Sequence, residues 1–397
     1  MSCPGTSRSA QPTVSKAQPL TDLKRRPLGA GVFRYTPGKS PSPAVFGALS
    51  MFRGLLTPLF LLFSLPLPGL SAEPIKAVVV TMFERGAPTG DRAGELQRWV
   101  EQTPLPREHA FPAGPFPLYS NDDGVLAVCT GGGIANATAT IMALGMDPRF
   151  DLSQAYWLIA GIAGGDPEDT SLGSAVWAEH VVDGDLLYEI DAREIPEDWP
   201  WGLLPLGAKA PAKRPEDIYT GWTVDTIHFA LNQDLARWAF EATRSVALDD
   251  SPAMAAFRKA FTGHAPARRP PAVQLGDTLA SSTYWHGALM NEWANSWVKL
   301  YAGEAANFVT TNMEDTGTLT ALGRLGALGL ADPQRVLVLR TVSNYSMPPA
   351  GRDAAWSSTA PYPDQGQPAL EAAFRVSSKA LEGLLATWPE LPKAVAP

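Results

Sequence analysis

The run Tyr156-Trp157-Leu158-Ile159-Ala160-Gly161-Ile162-Ala163-Gly164-Gly165 decides the fold class of this chain. Its first five residues are apolar and have the length of a buried strand, and the glycines that follow predict a turn. The same pattern occurs upstream, where the apolar run 124–129 precedes Thr130-Gly131-Gly132-Gly133, and residues 75–82 form another strand-like run. Apolar strands that alternate with glycine turns and helical segments indicate an α/β fold with a largely buried sheet.

The remainder of the chain continues this alternation. Further strands are predicted at 173–182, 307–310 and 335–342, and helices at 91–103, 134–144, 232–246, 252–269, 288–301, 313–328 and 369–388. No repeat or long disordered linker divides residues 73–397, so we expect one domain there. Because Pro and Trp are dense after residue 190, we expect an insertion at about 190–275.

The composition limits the class of protein. The 397 residues are 45% hydrophobic and 18% charged, which indicates a globular chain. The formal net charge of −8 leaves no basic excess, so nucleic acid is not an expected partner. Two cysteines, Cys3 and Cys129, exclude a disulfide framework, and the five histidines show no metal-ligand spacing, so we expect no metal. Cys129 lies in an apolar run and is expected to be a small core residue.

The N-terminal region differs from the rest. Residues 1–50 are rich in Pro, Ser, Gly and basic residues, and we interpret them as an over-extended gene start or a disordered extension before Met51. Residues 51–72 combine a basic start, a short apolar segment and small residues ending at Ala72, which is typical of a secretory signal peptide. We therefore expect an exported protein, periplasmic or extracellular, that does not span a membrane after processing. The alternative is a genuine tail with a membrane anchor.

Three segments at predicted strand ends carry glycines or polar groups: 130–136, 161–166 and 340–344. In an open α/β sheet, ligands bind outside the carboxyl ends of the strands. The first segment opens a helix, so its backbone amides can hold an anion or a sugar hydroxyl. The alternative for this segment is a tight turn that needs positive φ. It is not a P-loop, and it does not stand where a dinucleotide fingerprint would.

Several residues in these segments have two interpretations. Glu314 can accept hydrogen bonds from both vicinal hydroxyls of a ribose, or it can form a capping box with Thr311 at a helix start. Asn344 can donate to and accept from the edge of a base, or it can be a simple turn residue. The aromatic segment 284–286 can stack on a planar base, although core packing is the commoner use of such side chains.

Taken in the order in which they occur along the chain, these motifs resemble the purine nucleoside permease family. That family is similar in turn to the nucleoside phosphorylase and nucleosidase superfamily. The resemblance covers nearly all of residues 73–390 and includes 191–196 and 229–232. The segments that match the wider superfamily are Val80-Thr81-Met82-Phe83-Glu84, Thr130-Gly131-Gly132-Gly133-Ile134-Ala135-Asn136-Ala137, Ala160-Gly161-Ile162-Ala163-Gly164-Gly165, Leu172-Gly173-Ser174, Gly276-Asp277, Asn312-Met313-Glu314 and Arg340-Thr341-Val342-Ser343-Asn344.

The resemblance implies a three-layer α/β/α fold with a mixed central sheet, and a purine nucleoside as ligand. It implies that Glu314 holds the ribose hydroxyls, that Asn344 donates to the purine N7 and that Glu84 activates water. The other substrate-binding residues it implies are Thr130, Gly131, Gly132, Ala163, Gly164, Gly165, Asp277, Tyr284, Trp285, His286, Asn312, Met313 and Ser343. No cofactor is implied, although phosphate is a possible co-substrate and a homo-oligomer is possible by analogy.

Two positions depart from the superfamily pattern. Many phosphorylases carry an Arg just before the glycine turn, near Ile159 of this chain, so phosphate affinity is expected to fall. The first Glu of the Glu-Met-Glu signature is Asn312 here. We therefore expect a purine nucleoside-binding protein of nucleoside uptake, which cleaves the N-glycosidic bond by phosphorolysis or hydrolysis. The alternatives are a non-catalytic receptor that feeds a separate membrane carrier, and an unrelated hydrolase on the same fold.

Overall fold

The computed structural model describes residues 72–218 and 225–392. The predicted N-terminal extension and the predicted signal peptide, apart from Ala72, lie outside these residues and stay predictions. Within the described ranges, no helix has both the length and the apolar character needed to cross a bilayer.

The described part of the chain alternates strands and helices as expected. Its strands are β1 Glu73–Pro74, β2 Ala77–Thr81, β3 Arg107–His109, β4 Leu118–Ser120, β5 Val125–Cys129, β6 Phe150–Asp151, β7 Tyr156–Gly165, β8 Ala175–Asp183, β9 Leu187–Glu189, β10 Leu203–Pro205, β11 His228–Ala230, β12 Val273–Ala280, β13 Phe308–Asn312 and β14 Val336–Tyr345. Its α-helices are α1 Leu96–Gln102, α2 Ile134–Gly145, α3 Gln233–Thr243, α4 Pro252–Arg258, α5 Ala288–Ala302, α6 Asp315–Ala327, α7 Ala354–Thr359 and α8 Gln367–Thr387.

Ten strands form one mixed sheet in the order β11-β8-β12-β13-β7-β2-β5-β4-β3, with β14 paired to both β7 and β8. The central pairs of β2 with β5 and β7, and of β7 with β14, are parallel. The pairs of β13 with β7 and of β14 with β8 are antiparallel. Because β7, β14, β8, β12 and β13 each pair with the next and β13 returns to β7, this part of the sheet closes into a ring.

Helices cover both faces of the sheet. Successive residues of a strand point to opposite faces, and β2 shows this directly. Val78 belongs to a buried apolar cluster with Leu322 of α6, whereas Val79 belongs to a second cluster with Trp99 of α1 and Leu381 of α8. The expected three-layer α/β/α fold with a mixed central sheet is therefore confirmed.

Two strands run further than the sequence predicted. The glycines 161–165 were expected to form a turn, but β7 runs through them to Gly165. Likewise, β14 continues beyond its predicted end at 342 as far as Tyr345, so Ser343 and Asn344 lie within the strand. The physical reason is long-range pairing, because Arg340 opposite Gly161 and Tyr345 opposite Gly165 extend the parallel ladder. A Cβ at position 161 would overlap Met82 Cε, so a larger residue there would force the Met82 side chain to move.

Other differences concern elements with weak sequence signals. Strand β12 was not predicted, because Gln274, Gly276 and Asp277 interrupt its apolar pattern. The predicted helix 252–269 is also too long, since α4 ends at Arg258 and a short 3-10 turn follows at Pro266–Arg268. The predicted insertion at about 190–275 contains β10, β11, α3 and α4, and its status as an insertion stays a prediction.

Candidate functional site

A cavity of about 190 Å³ lies at the carboxyl ends of β2, β12 and β13, beside the second halves of β7 and β14. This is the edge at which an α/β sheet binds ligands. The lining residues are Met82, Phe83, Glu95, Ile162, Ala163, Gly164, Thr283, Tyr284, Trp285, Thr311, Asn312, Met313, Glu314, Arg340, Ser343, Asn344, Ser346 and Tyr362.

Glu314 lies between the cavity and the glycine turn. Its Oε1 accepts a hydrogen bond from Gly133 N at 3.3 Å, so the protein's own carboxylate occupies the amide-rich start of α2. Gly131 and Gly133 have φ of +81° and +92°, so the tight-turn interpretation is also correct. The predicted residues Thr130, Gly131 and Gly132 do not line the cavity. Burial raises the pKa of Glu314, and Arg340 opposes that rise.

Asn312 caps the start of α6, where the sequence predicted a capping box of Thr311 and Glu314 as one alternative. Its Oδ1 accepts hydrogen bonds from Glu314 N at 3.1 Å and Asp315 N at 3.0 Å, at the start of α6. The Glu314 side chain makes no capping bond, so the capping-box interpretation is wrong. Because Asn312 satisfies the helix start, the Glu314 carboxylate is free to face the cavity.

Arg340 is the cation beneath the cavity. Its guanidinium pairs with both oxygens of Asp315 and lies 3.3 Å from Glu314 Oε2. The remaining donors reach Ile162 O at 3.1 Å and Asn312 Oδ1 at 3.2 Å. A fully buried guanidinium needs such a set of acceptors, because an unpaired charge in the interior is costly.

Glu95 is the carboxylate that the sequence did not identify. It precedes α1, is buried and lines the cavity. Its oxygens accept hydrogen bonds from Met82 N at 2.7 Å and Ile162 N at 2.8 Å, which fix its orientation. Burial raises the pKa of Glu95 to about 7, against the opposing effect of Arg340. A positioned carboxyl that titrates near neutral pH is suited to general acid–base chemistry. We call Glu95, Glu314, Asp315 and Arg340 the charged cluster.

Glu84, the predicted water-activating residue, does not line the cavity. Its carboxylate accepts hydrogen bonds from the backbone amides of Gly94 and, at 2.6 Å, Gln97. Glu84 therefore holds the loop that carries Glu95, and of these two carboxylates Glu95 is the one that lines the cavity.

Asn344 reaches the cavity through an irregularity in β14. The register with β7 shifts between Val342 and Asn344, so Ser343 is an extra residue on this strand. The turn interpretation of Asn344 is therefore wrong. Asn344 Oδ1 accepts from Ser343 Oγ at 3.0 Å, and Nδ2 donates to Tyr345 O at 3.2 Å. Among the described residues this leaves one amide hydrogen of Asn344 for a ligand.

An aromatic rim, which we define as Tyr284, Trp285 and Tyr362, forms another part of the lining. The hydroxyls of Tyr284 and Tyr362 are hydrogen-bonded to each other, and Tyr284 is 48% exposed. Trp285 is buried and packs edge-on against Trp293, so its ring serves the core as well as the cavity. His286 does not line the cavity, and its Nδ1 lies 3.1 Å from Ser357 Oγ.

Two further predicted residues have structural positions. Asp277 is outside the lining, and its carboxylate accepts from His180 N at 2.9 Å and Asn307 N at 2.7 Å. Gly165 lies in the sheet ring, opposite Thr310 and Tyr345. The predicted residues that do line the cavity are Ala163, Gly164, Tyr284, Trp285, Asn312, Met313, Glu314, Ser343 and Asn344, and their roles stay predictions.

A family model described as purine nucleoside permease (NUP) matches residues 74–395. The chain belongs to the purine nucleoside permease family. It is 30% identical over 288 residues to the purine nucleoside permease of Candida albicans, a match that covers 70% of this chain and 67% of that protein. The predicted family resemblance is confirmed.

Two solved structures resemble this purine nucleoside permease family member at low identity. A 5′-methylthioadenosine/S-adenosylhomocysteine nucleosidase from Neisseria meningitidis is 14% identical, with 78% of this chain and 99% of that chain covered and a TM-score of 0.45. Futalosine hydrolase of Helicobacter pylori is 13% identical, with 79% and 98% covered and a TM-score of 0.45.

Phosphate has no evident cation in the cavity of this family member. Within the described ranges Arg340 is the only cationic side chain of the lining, and its guanidinium is already ion-paired with Asp315 and Glu314. Ile159, near which the resemblance predicted the Arg of many phosphorylases to fall, is fully buried in the apolar core. Cys129 is also a core residue, as expected, and burial raises its pKa to about 12.

Two histidines meet in space although their sequence spacing gave no signal. His180 Nδ1 and His228 Nε2 lie 3.1 Å apart across the antiparallel pair of β8 and β11. Among the described residues no group of three or more His, Cys, Asp or Glu side chains is placed to hold a metal ion.

Proposed function

We propose that this family member binds purine nucleosides and cleaves their N-glycosidic bond with water as the nucleophile. The observation that carries the proposal is Glu95, a buried carboxyl held by two backbone amides at the cavity wall, with a pKa raised by burial to about 7. The purine nucleoside class is supported by the name of the family and of the Candida albicans relative.

In the proposed reaction, Glu95 removes a proton from water as the water oxygen bonds to the sugar carbon C1′. The bond from C1′ to the purine nitrogen breaks, and its electron pair leaves with the base. The base then takes up one proton, so the products are a free purine and a free sugar. A general base of this kind contributes roughly 10²–10⁴-fold to the rate.

Glu314 and Asn344 serve the two ends of the nucleoside in this proposal. The Glu314 carboxylate accepts from the vicinal ribose hydroxyls and is negative beside a sugar that becomes positive as the bond breaks. The second amide hydrogen of Asn344 is donated to the base, which becomes negative in the same step. Both residues therefore bind the transition state more strongly than the bound nucleoside.

Water is favoured over phosphate for an electrostatic reason. Among the described residues Arg340 is the cation of the lining, and it already donates to Asp315, Glu314, Asn312 and the carbonyl oxygen of Ile162. A phosphate ion in the cavity would lie beside Glu95 and Glu314 without a free cation to offset their charge. The predicted signal peptide, if used, would place this reaction outside the cytoplasm.

The test is release of free base from inosine, guanosine and adenosine by the purified full chain, measured by chromatography with and without phosphate. We expect release at the same rate in both conditions, with free ribose as the second product. Release only with phosphate, as ribose 1-phosphate, would contradict the hydrolytic mechanism. A rise in melting temperature with nucleoside but no base release would contradict cleavage and leave a binding protein.

A further inference from the structure

The charged cluster contains one carboxylate that the proposed reaction does not use. Glu95 and Glu314 line the cavity, whereas Asp315 is fully buried and does not. The Asp315 oxygens accept hydrogen bonds from Arg340 Nε at 3.2 and 3.1 Å, and also from Arg340 Nη2. Burying a carboxylate costs free energy even when it is ion-paired, so we expect Asp315 to act on the groups around it.

Arg340 is ion-paired with Asp315 and Glu314 and lies close to Glu95. Its Nη2 is 3.3 Å from Glu314 Oε2, and its Nη1 and Glu95 Oε1 both crowd the position that a Cβ of Gly161 would occupy. Arg340 thus pairs with Asp315 and Glu314 and lies near Glu95, so three carboxylates lie around one buried guanidinium. Full ionisation would leave a net charge of about −2 in a medium of low dielectric constant, so the last carboxyl of the cluster to ionise does so at a higher pH than an isolated carboxyl.

We infer that Asp315 is a positioning residue. Its negative charge partly neutralises Arg340 and thereby controls the protonation of Glu95. While Asp315 is ionised, its charge offsets that of Arg340, and Glu95 gains only part of the stabilisation that a free guanidinium would give its ionised form. The consequence for catalysis rests on the proposed function, in which Glu95 is the base.

The other groups around Glu95 support this assignment. Arg340 faces Glu95 from β14 and favours its ionised form, and Glu314 faces it from the start of α6 and opposes ionisation. The Cys129 thiol faces it from β5, and burial raises the pKa of that thiol to about 12, so it stays neutral. Asp315 is the member of the charged cluster that can be neutralised without altering the cavity lining.

The test is a direct titration of Glu95 in the full chain, by NMR of protein labelled with ¹³C at the glutamate side-chain carboxyls. The Glu95 signal is assigned by its loss in Glu95→Gln. Asp315→Asn should lower the titration midpoint of Glu95 by about one pH unit or more, because Arg340 then acts on Glu95 without its partner. An unchanged or higher midpoint would overturn the inference.

Asp166→Asn is the matched control, since Asp166 is equally buried but outside the cavity lining. It should leave the Glu95 midpoint in place, and a fall equal to that in Asp315→Asn would overturn the inference. If Asp315→Asn does not fold, Asp315→Glu keeps the charge and should hold the midpoint within about half a unit; a fall of about one unit would overturn the inference.

Measurements of base release distinguish a failure of this inference from a failure of the proposed function. In an active enzyme, the acidic limb of the pH profile of kcat/KM should move with the Glu95 midpoint in Asp315→Asn, which a purely structural role would not cause. A lower Glu95 midpoint without base release from any variant would support the inference and contradict the proposed function.

Discussion

The charged cluster and the aromatic rim bound the same cavity but are built in opposite ways. The four side chains of the charged cluster are buried. Arg340 is ion-paired with Asp315 and Glu314, and Glu95 accepts hydrogen bonds from two backbone amides. The aromatic rim includes Tyr284, which is 48% exposed, and its two tyrosines meet through a single hydroxyl–hydroxyl contact. The two regions therefore differ most in how strongly their positions are constrained.

This difference suits the charged cluster to catalysis and the aromatic rim to ligand recognition. Groups fixed in a low-dielectric site act strongly on charge that develops in a reaction, because little reorganisation is needed. An exposed ring such as that of Tyr284 costs less to displace than a buried, charge-paired side chain, and it suits the recognition of an incoming ligand. We therefore expect substitutions in the charged cluster to change the rate of base release, and substitutions in the aromatic rim to change mainly KM.

The largest effect is expected from Glu314→Gln. In the proposed reaction this change removes two charge-assisted hydrogen bonds to the ribose hydroxyls, so base release should fall by about 100-fold or more. The loss should be smaller for 2′-deoxynucleosides, which lack one of the two hydroxyls. Steady-state kinetics on both substrates measure this, with the exposed Glu168→Gln as control. Equal losses for both sugars would show that Glu314 does not hold the 2′-hydroxyl.

A smaller effect is expected from Tyr362→Phe in the aromatic rim. This change removes one hydroxyl of the Tyr284–Tyr362 contact but keeps the ring, so KM should rise by less than about tenfold with kcat nearly unchanged. Tyr188→Phe, at a residue that is 41% exposed and outside the cavity lining, is the matched control. A fall in kcat as large as that of Glu314→Gln would remove the distinction between the two regions.

The smallest effect is a pH dependence of stability. The pKa of Glu95 is raised by burial from its ordinary 4.5 to about 7, so the folded state holds a proton that the unfolded state releases. This contribution to stability is complete below 4.5 and is lost as the pH rises through about 7. The melting temperature of the wild type minus that of Glu95→Gln should therefore be larger at about pH 5 than at about pH 8. A difference independent of pH would contradict the raised pKa.

Much of the fold was predictable from the sequence. Long apolar runs such as 124–129 and 156–160 became central strands, because their burial does not depend on which strand they pair with. The extension of β7 through Gly165 was not predictable, since it depends on pairing with β14, about 180 residues away. Local glycine content favours a turn there, and the long-range ladder overrides it.

The candidate site was predictable where a motif lies on the cavity edge itself. Glu314 and Asn344 were found in this way. Glu95 was missed because it follows a loop after β2 and is turned toward the cavity by amides of Met82 and Ile162, which are distant in sequence. A buried carboxyl one residue before a helix gives no pattern that distinguishes it from the nearby Glu84.

The most direct test of the account compares Glu95→Gln with Glu84→Gln in base release from inosine without phosphate. Both replace a carboxylate of the same loop region, but only Glu95 lines the cavity, whereas Glu84 accepts hydrogen bonds from backbone amides of that region. We predict that Glu95→Gln lowers the rate by about 100-fold or more and that Glu84→Gln lowers it by less than about tenfold. Near wild-type release by Glu95→Gln, with activity abolished in Glu84→Gln, would contradict the assignment of the base.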